Sequence, residues 1–307
     1  MAVNNSLAPQ RNTGKPQTFS AFLTSDAIKN RINSMVGGKD GQRFISAVIS
    51  AVSVNPGLTE CEHSTILSAA LLGESLKLSP SPQLGQYYLV PFNDKKRGTK
   101  VAQFQLGYKG YIQLAIRSGY YKKLNVLAIK EGELVRFDAL NEEIDVKLID
   151  NDTEREAAKT IGYYAMFEYT NGFRKAMYWS REKMMAHADK YSMAFSAAKY
   201  QDLLDGKIPQ SEMWKYSSFW YKDFDGMAYK TMLRQLISKW GIMSIELQTA
   251  IDKDMAAIHD DGSVDYVDNS VDYEAAPEAP QAPVIESNPA TGEVFDADPT
   301  ASFFGEQ

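Results

Sequence analysis

Apolar and polar positions follow two different periods along this chain. Up to about residue 78 the apolar positions recur every three to four residues, which predicts helices at 24–36, at 41–54 and from Thr59 onward. Thr59 and Glu62 have the spacing of a capping box, so the third helix is expected to begin there. The first two helical patterns are followed by residues that end helices, namely Gly37, Gly38, Asn55, Pro56 and Gly57.

From Ser79 the pattern becomes typical of strands. Segments 86–92 and 101–106 are rich in aromatic and branched residues and bracket a polar segment that contains Gly98, which predicts a β-hairpin. A short helix at 108–118, between Gly107 and Gly119, is expected to follow. Further strands are predicted near 120–130, 134–137, 144–149, 159–169 and 173–179.

The last third of the chain returns to helical patterns. Ser180 is expected to cap a helix, residues 193–215 look irregular, and a long helix at 218–239 is followed by a shorter one to about 253. The fold class is therefore α+β, with a helical N-terminal part, a central antiparallel hairpin and sheet with a short basic helix, and long C-terminal helices. We expect a disordered leader at 1–18, a folded body at 19–253 and a disordered acidic tail at 254–307.

The charge is distributed unevenly. The net charge is −6, but residues 254–307 contain 13 acidic and no basic residues, so residues 1–253 carry +7. Cys61 is the only cysteine, which excludes a disulfide framework or a thiolate zinc site within one chain. No apolar run is long enough for a bilayer, since 44–54 covers only eleven residues. These features predict a protein of the reducing cytoplasm with a basic body.

A basic segment, residues 95–130, contains nine basic residues and no acidic one. Lys109, Gln113 and Arg117 are spaced so that they share one face of the short helix. Tyrosines between the charges fit a groove that binds phosphates through cations and stacks bases on aromatic rings. The plain alternative is a solvated basic face with tyrosines in the core. The candidate DNA-binding residues here are Lys95, Lys96, Arg97, Lys100, Tyr108, Lys109, Gln113, Arg117, Lys122 and Lys123, and Lys130 completes the nine cations.

Weaker signals lie at two further places. Gly107 and Gly110 form a GxxG step at a helix start, where free N–H groups favour a phosphate, although such a step is more often simple helix punctuation. In the helix predicted at 218–239, Lys222, Lys230 and Arg234 fall on one stripe that is expected to face outward, or else to be ordinary solvated cations. The aromatic residues at 214–224 are more typical of a core or a subunit contact.

The segment 75–118, SLKLSPSPQLGQYYLVPFNDKKRGTKVAQFQLGYKGYIQLAIRSG, resembles the RecT family of phage single-strand annealing proteins. The similarity extends over about 42–253. Two departures are a longer 193–215 stretch and Gly226, which stands where a charged residue commonly precedes Met-Ala. The matching residues are Leu76, Leu78, Pro80, Gly85, Leu89, Pro91, Phe92, Gly107, Tyr108, Gly110, Leu114, Ala115, Arg117, Ser118 and Gly119, then Met227, Ala228, Lys230, Thr231, Arg234, Ser244, Ile245 and Glu246.

The resemblance implies an α+β body that assembles into homo-oligomeric rings or filaments, with single-stranded DNA and annealed duplex along a continuous basic groove. It implies ATP-independent annealing, a partner exonuclease, and action near the single-strand binding protein of a bacterial host. It also adds Lys230 and Arg234 to the expected lining of that groove.

Two other classes of function fit the sequence less well. A nuclease needs clustered carboxylates and a lysine around Mg²⁺, and Asp138 with Asp145 and Lys147 imitates such a set, although acids alternating along a strand are usually its solvent face. A structural virion protein would account for oligomers but not for the basic segment. The sequence contains no P-loop and no HExxH motif, so we expect no ATPase or zinc hydrolase, and no enzyme activity, cofactor or metal.

Overall fold

A computed structural model describes residues 17–94, 97–192 and 194–265. The described chain is α+β, as predicted: helices lie in the N-terminal and C-terminal parts, and antiparallel strands lie between them. Within these residues no helix is long and apolar enough to cross a membrane.

The N-terminal part is a group of helices packed through their apolar faces. Its second helix begins at Asp26, and a further short helix precedes it. The predicted capping box is wrong: Thr59 lies in a 3-10 helix that begins at Pro56, and the next helix begins at His63 with Glu62 as its N-cap residue. The elements are α1 (Phe19–Thr24), α2 (Asp26–Val36), α3 (Gly38–Val54), the 3-10 helix Pro56–Glu60 and α4 (His63–Ser75).

The predicted hairpin is confirmed, and it belongs to a four-stranded antiparallel sheet. Its strands pair from Tyr87 opposite Leu106 to Asp94 opposite Thr99. Two short strands from near the end of the described chain extend this sheet in the order β1-β2-β8-β9. The strands are β1 (Tyr87–Asp94), β2 (Thr99–Leu106), β8 (Ala256–Ile258) and β9 (Val264–Asp265).

The predicted short helix is also confirmed, and a second antiparallel sheet follows it. Its order is β3-β6-β7, and a separate two-stranded sheet, β4-β5, is inserted between β3 and β6. The elements are α5 (Tyr108–Arg117), β3 (Tyr121–Lys130), β4 (Leu134–Asp138), β5 (Glu143–Val146), α6 (Asp152–Ala157), β6 (Thr160–Tyr169) and β7 (Arg174–Ser180).

The C-terminal helices differ from their prediction in two places. The long helix expected at 218–239 is interrupted at Asp223, whose backbone is not helical and whose carboxylate caps the next helix at Gly226 N, 2.9 Å away. A Cβ on Gly226 would lie 2.2 Å from that carboxylate, which explains the glycine. Residues 193–215, expected to be irregular, contain a helix and most of a 3-10 helix. The elements are α7 (Arg181–Tyr191), α8 (Ala197–Leu204), the 3-10 helix Gln210–Tyr216, α9 (Phe219–Lys222), α10 (Phe224–Trp240) and α11 (Ile245–Asp252).

Two hydrophobic clusters form the core, and α10 contributes to both. Leu233 and Ile237 pack with the N-terminal helices and the first sheet, whereas Met232 and Leu236 pack with β6, α7 and α8. One helix with two buried stripes therefore joins the two halves of the body.

The body continues beyond the expected boundary at residue 253. Asp254 is buried, Ala256 pairs with Phe104, and β8 pairs with β9. Residues 254–265 are thus part of the sheet, so the tail predicted at 254–307 starts too early. The rest of that tail and most of the predicted leader lie outside the described residues.

Candidate nucleic-acid interface

Helix α5 is held closely against the loop that precedes β1. The N–H of Gly107 donates to the carbonyl of Gln86 at 2.9 Å. A Cβ at Gly107 would lie 2.1 Å from the carbonyl oxygen of Gly85, and one at Gly110 would lie 2.1 Å from that of Gln86. Both glycines are therefore required by backbone packing, so the GxxG step has a structural explanation that needs no phosphate.

The two faces of α5 are separated as predicted. Tyr111 and Ala115 are buried in the body, whereas Lys109, Gln113 and Arg117 are exposed. Lys109 has no carboxylate within 4 Å among the described residues, and its amine lies 5.9 Å from the centre of the Tyr108 ring. Arg117 is engaged: it donates to the carbonyls of Leu76 and Lys77 at 2.5 and 3.3 Å.

Two exposed lysines, Lys122 and Lys123, lie at the start of β3, the strand that follows α5. Successive residues of a regular strand point to opposite faces, but the register shifts between Tyr121 and Lys123, as in a bulge. Lys122 and Lys123 both reach Glu168 on β6, at 2.6 and 3.4 Å, and both remain exposed. Hydrogen bonds from Lys122, and then from Lys123, hold the pKa of Glu168 below its ordinary value.

Two described cations near the hairpin tip, Arg97 and Lys100, have acidic partners. Lys95 and Lys96 lie outside the described residues. Arg97 lies 3.3 Å from Asp265 and 2.9 Å from Nδ1 of His259, both in the segment that was expected to be tail. Lys100 pairs with Glu60. A phosphate would have to compete with these carboxylates.

Lys230 does not face solvent, so the outward stripe predicted with Lys222 and Arg234 is wrong. Its side chain is 7% exposed, and its amine lies 2.9 Å from Asp254. Burial, the largest cause, lowers the pKa of Lys230. The carboxylate of Asp254 also accepts from Leu106 N at 2.9 Å and from Arg234 at 3.1 Å. This network fixes α10 to the end of β2, and Lys222 lies in the separate helix α9.

The tyrosines of the basic segment divide between core and surface. Tyr111 is fully buried, Tyr121 packs on Phe167, and Tyr108 meets the edge of Tyr229 at 5.6 Å between ring centres. Tyr120 is 48% exposed. The aromatic residues at 214–224 are mixed: Trp220 and Phe224 are core, while Trp214 is 73% exposed.

A cleft of about 690 Å³ contains three cations that the sequence did not single out as a group, Lys159, Arg181 and Lys222. Three carboxylates, Glu182, Asp223 and Asp225, line the same cleft. Arg181 lies 3.6 Å from Asp225. These three cations are spread over residues 159–222 and form no cluster of charge in the sequence. Only the fold brings them together. The carboxylates of the cleft balance its cations, which makes it a weaker phosphate site than α5.

The carboxylates that imitate a nuclease centre are occupied by an arginine. Arg136 lies 3.9 Å from Asp138 and 3.1 Å from Asp145. Across the ranges that the structure covers, no group of three histidine, cysteine or acidic residues is arranged to hold a metal ion.

Comparison with known proteins places this chain in a family. The RecT family model matches residues 42–268, which is most of the chain. The chain belongs to the RecT family. It is 28% identical to Protein RecT of Escherichia coli over 237 residues, 76% of this chain and 79% of that protein. It is 35% identical to the uncharacterized protein YqaK of Bacillus subtilis over 251 residues, 81% of this chain and 77% of that protein.

Membership of the RecT family supports a single-strand annealing protein of DNA recombination that binds single-stranded DNA and associates with itself. The match ends at residue 268, so it includes the strands β8 and β9. This agrees with the extent of the folded body.

Proposed function

We propose that this protein binds single-stranded DNA through its backbone and anneals complementary strands without ATP and without covalent chemistry. Rings or filaments of the chain would hold the strand along a continuous basic groove. The observation that carries the proposal is the polar face of α5, where Lys109 and Gln113 are exposed, together with the exposed Lys122 and Lys123 of β3, the strand that follows α5 in the chain.

Phosphates are the expected ligands. A lysine amine is a compact charge that contacts phosphate without reading a base edge, and lysines outnumber amide side chains on this surface. Tyr120 adds one exposed ring, which suits any base because every base has a π-face. Slight sequence preference is therefore expected.

Self-association would supply a longer DNA-contacting surface than one protomer has. A helix of ten residues such as α5 is about 15 Å long, so one protomer contacts only a few phosphates. Protomers joined in a ring or filament would bind a long strand with high effective concentration. A strand held by its backbone keeps its bases available for pairing with a second strand.

Two partners follow from the proposal. An exonuclease would expose the single strand, and the single-strand binding protein of the bacterial host would occupy it before annealing. Both are inferred from the family, and pull-down with each purified protein would test them.

Annealing is tested by adding two complementary oligonucleotides in succession, without ATP, and imaging the product. We expect duplex formation faster than without protein, together with ordered oligomers on the DNA. Degradation of a labelled strand with Mg²⁺ would indicate a nuclease, and assembly that is independent of DNA would indicate a structural protein.

The salt dependence of binding is a second test. If each protomer neutralises roughly 4 phosphates, the slope of log affinity against log salt should be about −3 per protomer.

A further inference from the structure

The turn that ends α4 is a Schellman motif with an unusual residue. Lys77 N donates to Glu74 O at 2.8 Å, and Leu78 N donates to Gly73 O at 2.9 Å, which is the hydrogen-bond pattern of that motif. The first of these two donor residues has a left-handed backbone in this motif and is usually glycine. Here it is Lys77, with φ 52°. An L-residue is disfavoured in this conformation, so the position carries strain.

Arg117 closes this turn from α5. Its guanidinium donates to the carbonyls of Leu76 and Lys77, which helix geometry leaves without partners. The start of α11 lies close by: the pKa of Glu246 is lowered by hydrogen bonds from its own backbone and from Ser244, and further by Arg117 and Lys77. Arg117 thus links the end of α5 to the turn at Lys77, and the start of α11 lies close to α5.

The amine of Lys77 is available at this junction. The residue is exposed, and it has no carboxylate within 4 Å in the part of the chain that the structure describes. Arg117 stands eight residues after Lys109 on the exposed face of α5, about 12 Å along the helix. Lys77 therefore stands at the end of the row that begins with Lys109.

We propose that Lys77 is a phosphate contact for the DNA strand and that Arg117 is its positioning residue, an inference that rests on the proposed function. Arg117 holds the turn in the left-handed conformation, and that conformation presents the lysine beyond the end of α5. Lys77 lies outside the basic segment 95–130 and is isolated in sequence from its cations. The strand path then crosses from α5 to the end of α4.

Substitutions of Lys77 separate this proposal from a purely structural one. A lysine also complements the dipole at a helix C-terminus, and if that were its purpose Lys77→Gly would lower the thermal midpoint. We expect Lys77→Gly to leave the midpoint unchanged or raise it by about 2 °C, because glycine relieves the strain. The same variant should bind single-stranded oligothymidylate about threefold more weakly at low salt.

Conservative and matched variants complete the test, with oligothymidylate binding measured by fluorescence anisotropy. Lys77→Arg should bind within twofold of wild type, whereas Lys77→Gln should lose about threefold and reduce the salt slope by about 0.7. Lys147→Gln makes the same change on an exposed lysine directly after β5 and should bind like wild type. Wild-type binding by Lys77→Gln, with weakened binding by Lys109→Gln, would overturn this inference alone. Wild-type binding by both would instead contradict the proposed interface.

A double-mutant cycle tests the positioning role. If Arg117 acts through Lys77, Arg117→Gln should weaken binding, and Lys77→Gln should add little in that background. Full additivity would mean that Arg117 contacts the strand independently, and the positioning role would be wrong. Lys77→Gln and Lys77→Gly retain Arg117, so the contact itself stays testable even where Arg117 variants fold poorly.

Discussion

Two neighbouring segments of this protein carry opposite charge. The basic segment 95–130 has nine basic residues and no acidic one, whereas residues 131–156, the acidic segment, have ten acidic and three basic residues. They meet at Lys130 and Glu131, where β3 ends. We expect the DNA strand to follow the first segment and to be repelled by the second, so this boundary limits its path.

The charged side chains of the two segments have different ion-pair partners. In the basic segment several cations are already paired with acids from distant parts of the chain, such as Lys100 with Glu60. In the acidic segment two of the three cations are used internally: Arg136 pairs with Glu143 and Asp145, and Arg155 with Glu133. A run of like charge therefore overstates the charge available to a ligand, and Lys109 matters because no described acid neutralises it.

The largest effect is expected from breaking the buried pair of the acidic segment. Glu133 is fully buried and lies 2.6 Å from Arg155, so Arg155→Met should cost about 3 kcal/mol of unfolding free energy because it leaves a buried carboxylate without its cation. Urea unfolding measures this. Arg136→Met, at an exposed arginine, should cost less than about 1 kcal/mol. Equal losses would show that burial does not distinguish the two pairs.

The same pair makes a prediction about pH. Burial alone raises the pKa of Glu133, but hydrogen bonds from Arg155 and from the backbone at Lys130 and Ile149 hold it below its ordinary 4.5. A lowered folded-state pKa gives stability that is present above pH 4.5 and lost as the pH falls through the folded value. The stability difference between wild type and Arg155→Met should therefore shrink below pH 4.5. A constant difference down to pH 3 would contradict this.

Charge reversal compares the two segments directly. Lys109→Glu should weaken single-strand binding about tenfold at low salt, because it removes a phosphate contact and adds repulsion. Lys147→Glu makes the same charge change in the acidic segment and should have little effect. Both lysines are exposed, so circular dichroism should be unchanged in both variants. Equal weakening would mean that net charge alone governs binding.

Removing the acidic C-terminal residues should change the single-strand affinity less than the charge reversal does. Residues 266–307 contain nine acidic and no basic residues, so truncation after Asp265 should tighten binding about threefold at low salt. The gain should fade as the Debye length falls from about 30 Å at 0.01 M to about 8 Å at 0.15 M salt. The reason for this expectation is that the acidic residues would compete with DNA for the basic surface. Weaker binding of the truncated protein would contradict that competition. An unchanged affinity with reduced recombination in cells would favour recruitment of a partner instead.

The smallest effect concerns Glu168, which neutralises Lys122 and Lys123. Glu168→Gln should free both lysines and raise single-strand affinity about twofold at low salt. Glu143→Gln in the acidic segment leaves Arg136 paired with Asp145 and serves as the control. Fluorescence anisotropy would measure both. A loss of affinity in Glu168→Gln would indicate that the acid orients the lysines for DNA rather than competing with it.

Local patterns predicted much of this fold. The hairpin and α5 were predicted to within about two residues, since aromatic and branched segments bracket the polar turn with Gly98, and Gly107 and Gly119 bracket the helix. The break at Asp223 was missed because the apolar periodicity continues through α9 and α10. The strands β8 and β9 were missed because an acidic composition outweighed a three-residue apolar run, Ala256–Ile258.

The candidate site was predicted less completely, because pairing partners are distant in sequence. Nothing near Lys230 indicates that it turns inward, since its partner Asp254 is 24 residues away. Arg117 was correctly placed on the exposed face of α5, yet its hydrogen bonds to the turn after α4 span 40 and 41 residues. Periodicity assigns a side chain to a face, whereas its partner depends on the tertiary fold.

The position of Asp254 has a consequence for biosynthesis. The ribosome makes Lys230, Leu106 and Arg234 before the carboxylate that all three share, and the strand Ala256–Ile258 comes later still. A nascent chain that ends at Lys253 has a lysine that must be buried without its counter-ion, so we expect its body to remain open. Completion of the body is therefore a late event in synthesis, and a stalled or prematurely terminated chain would be recognised by proteases as unfinished.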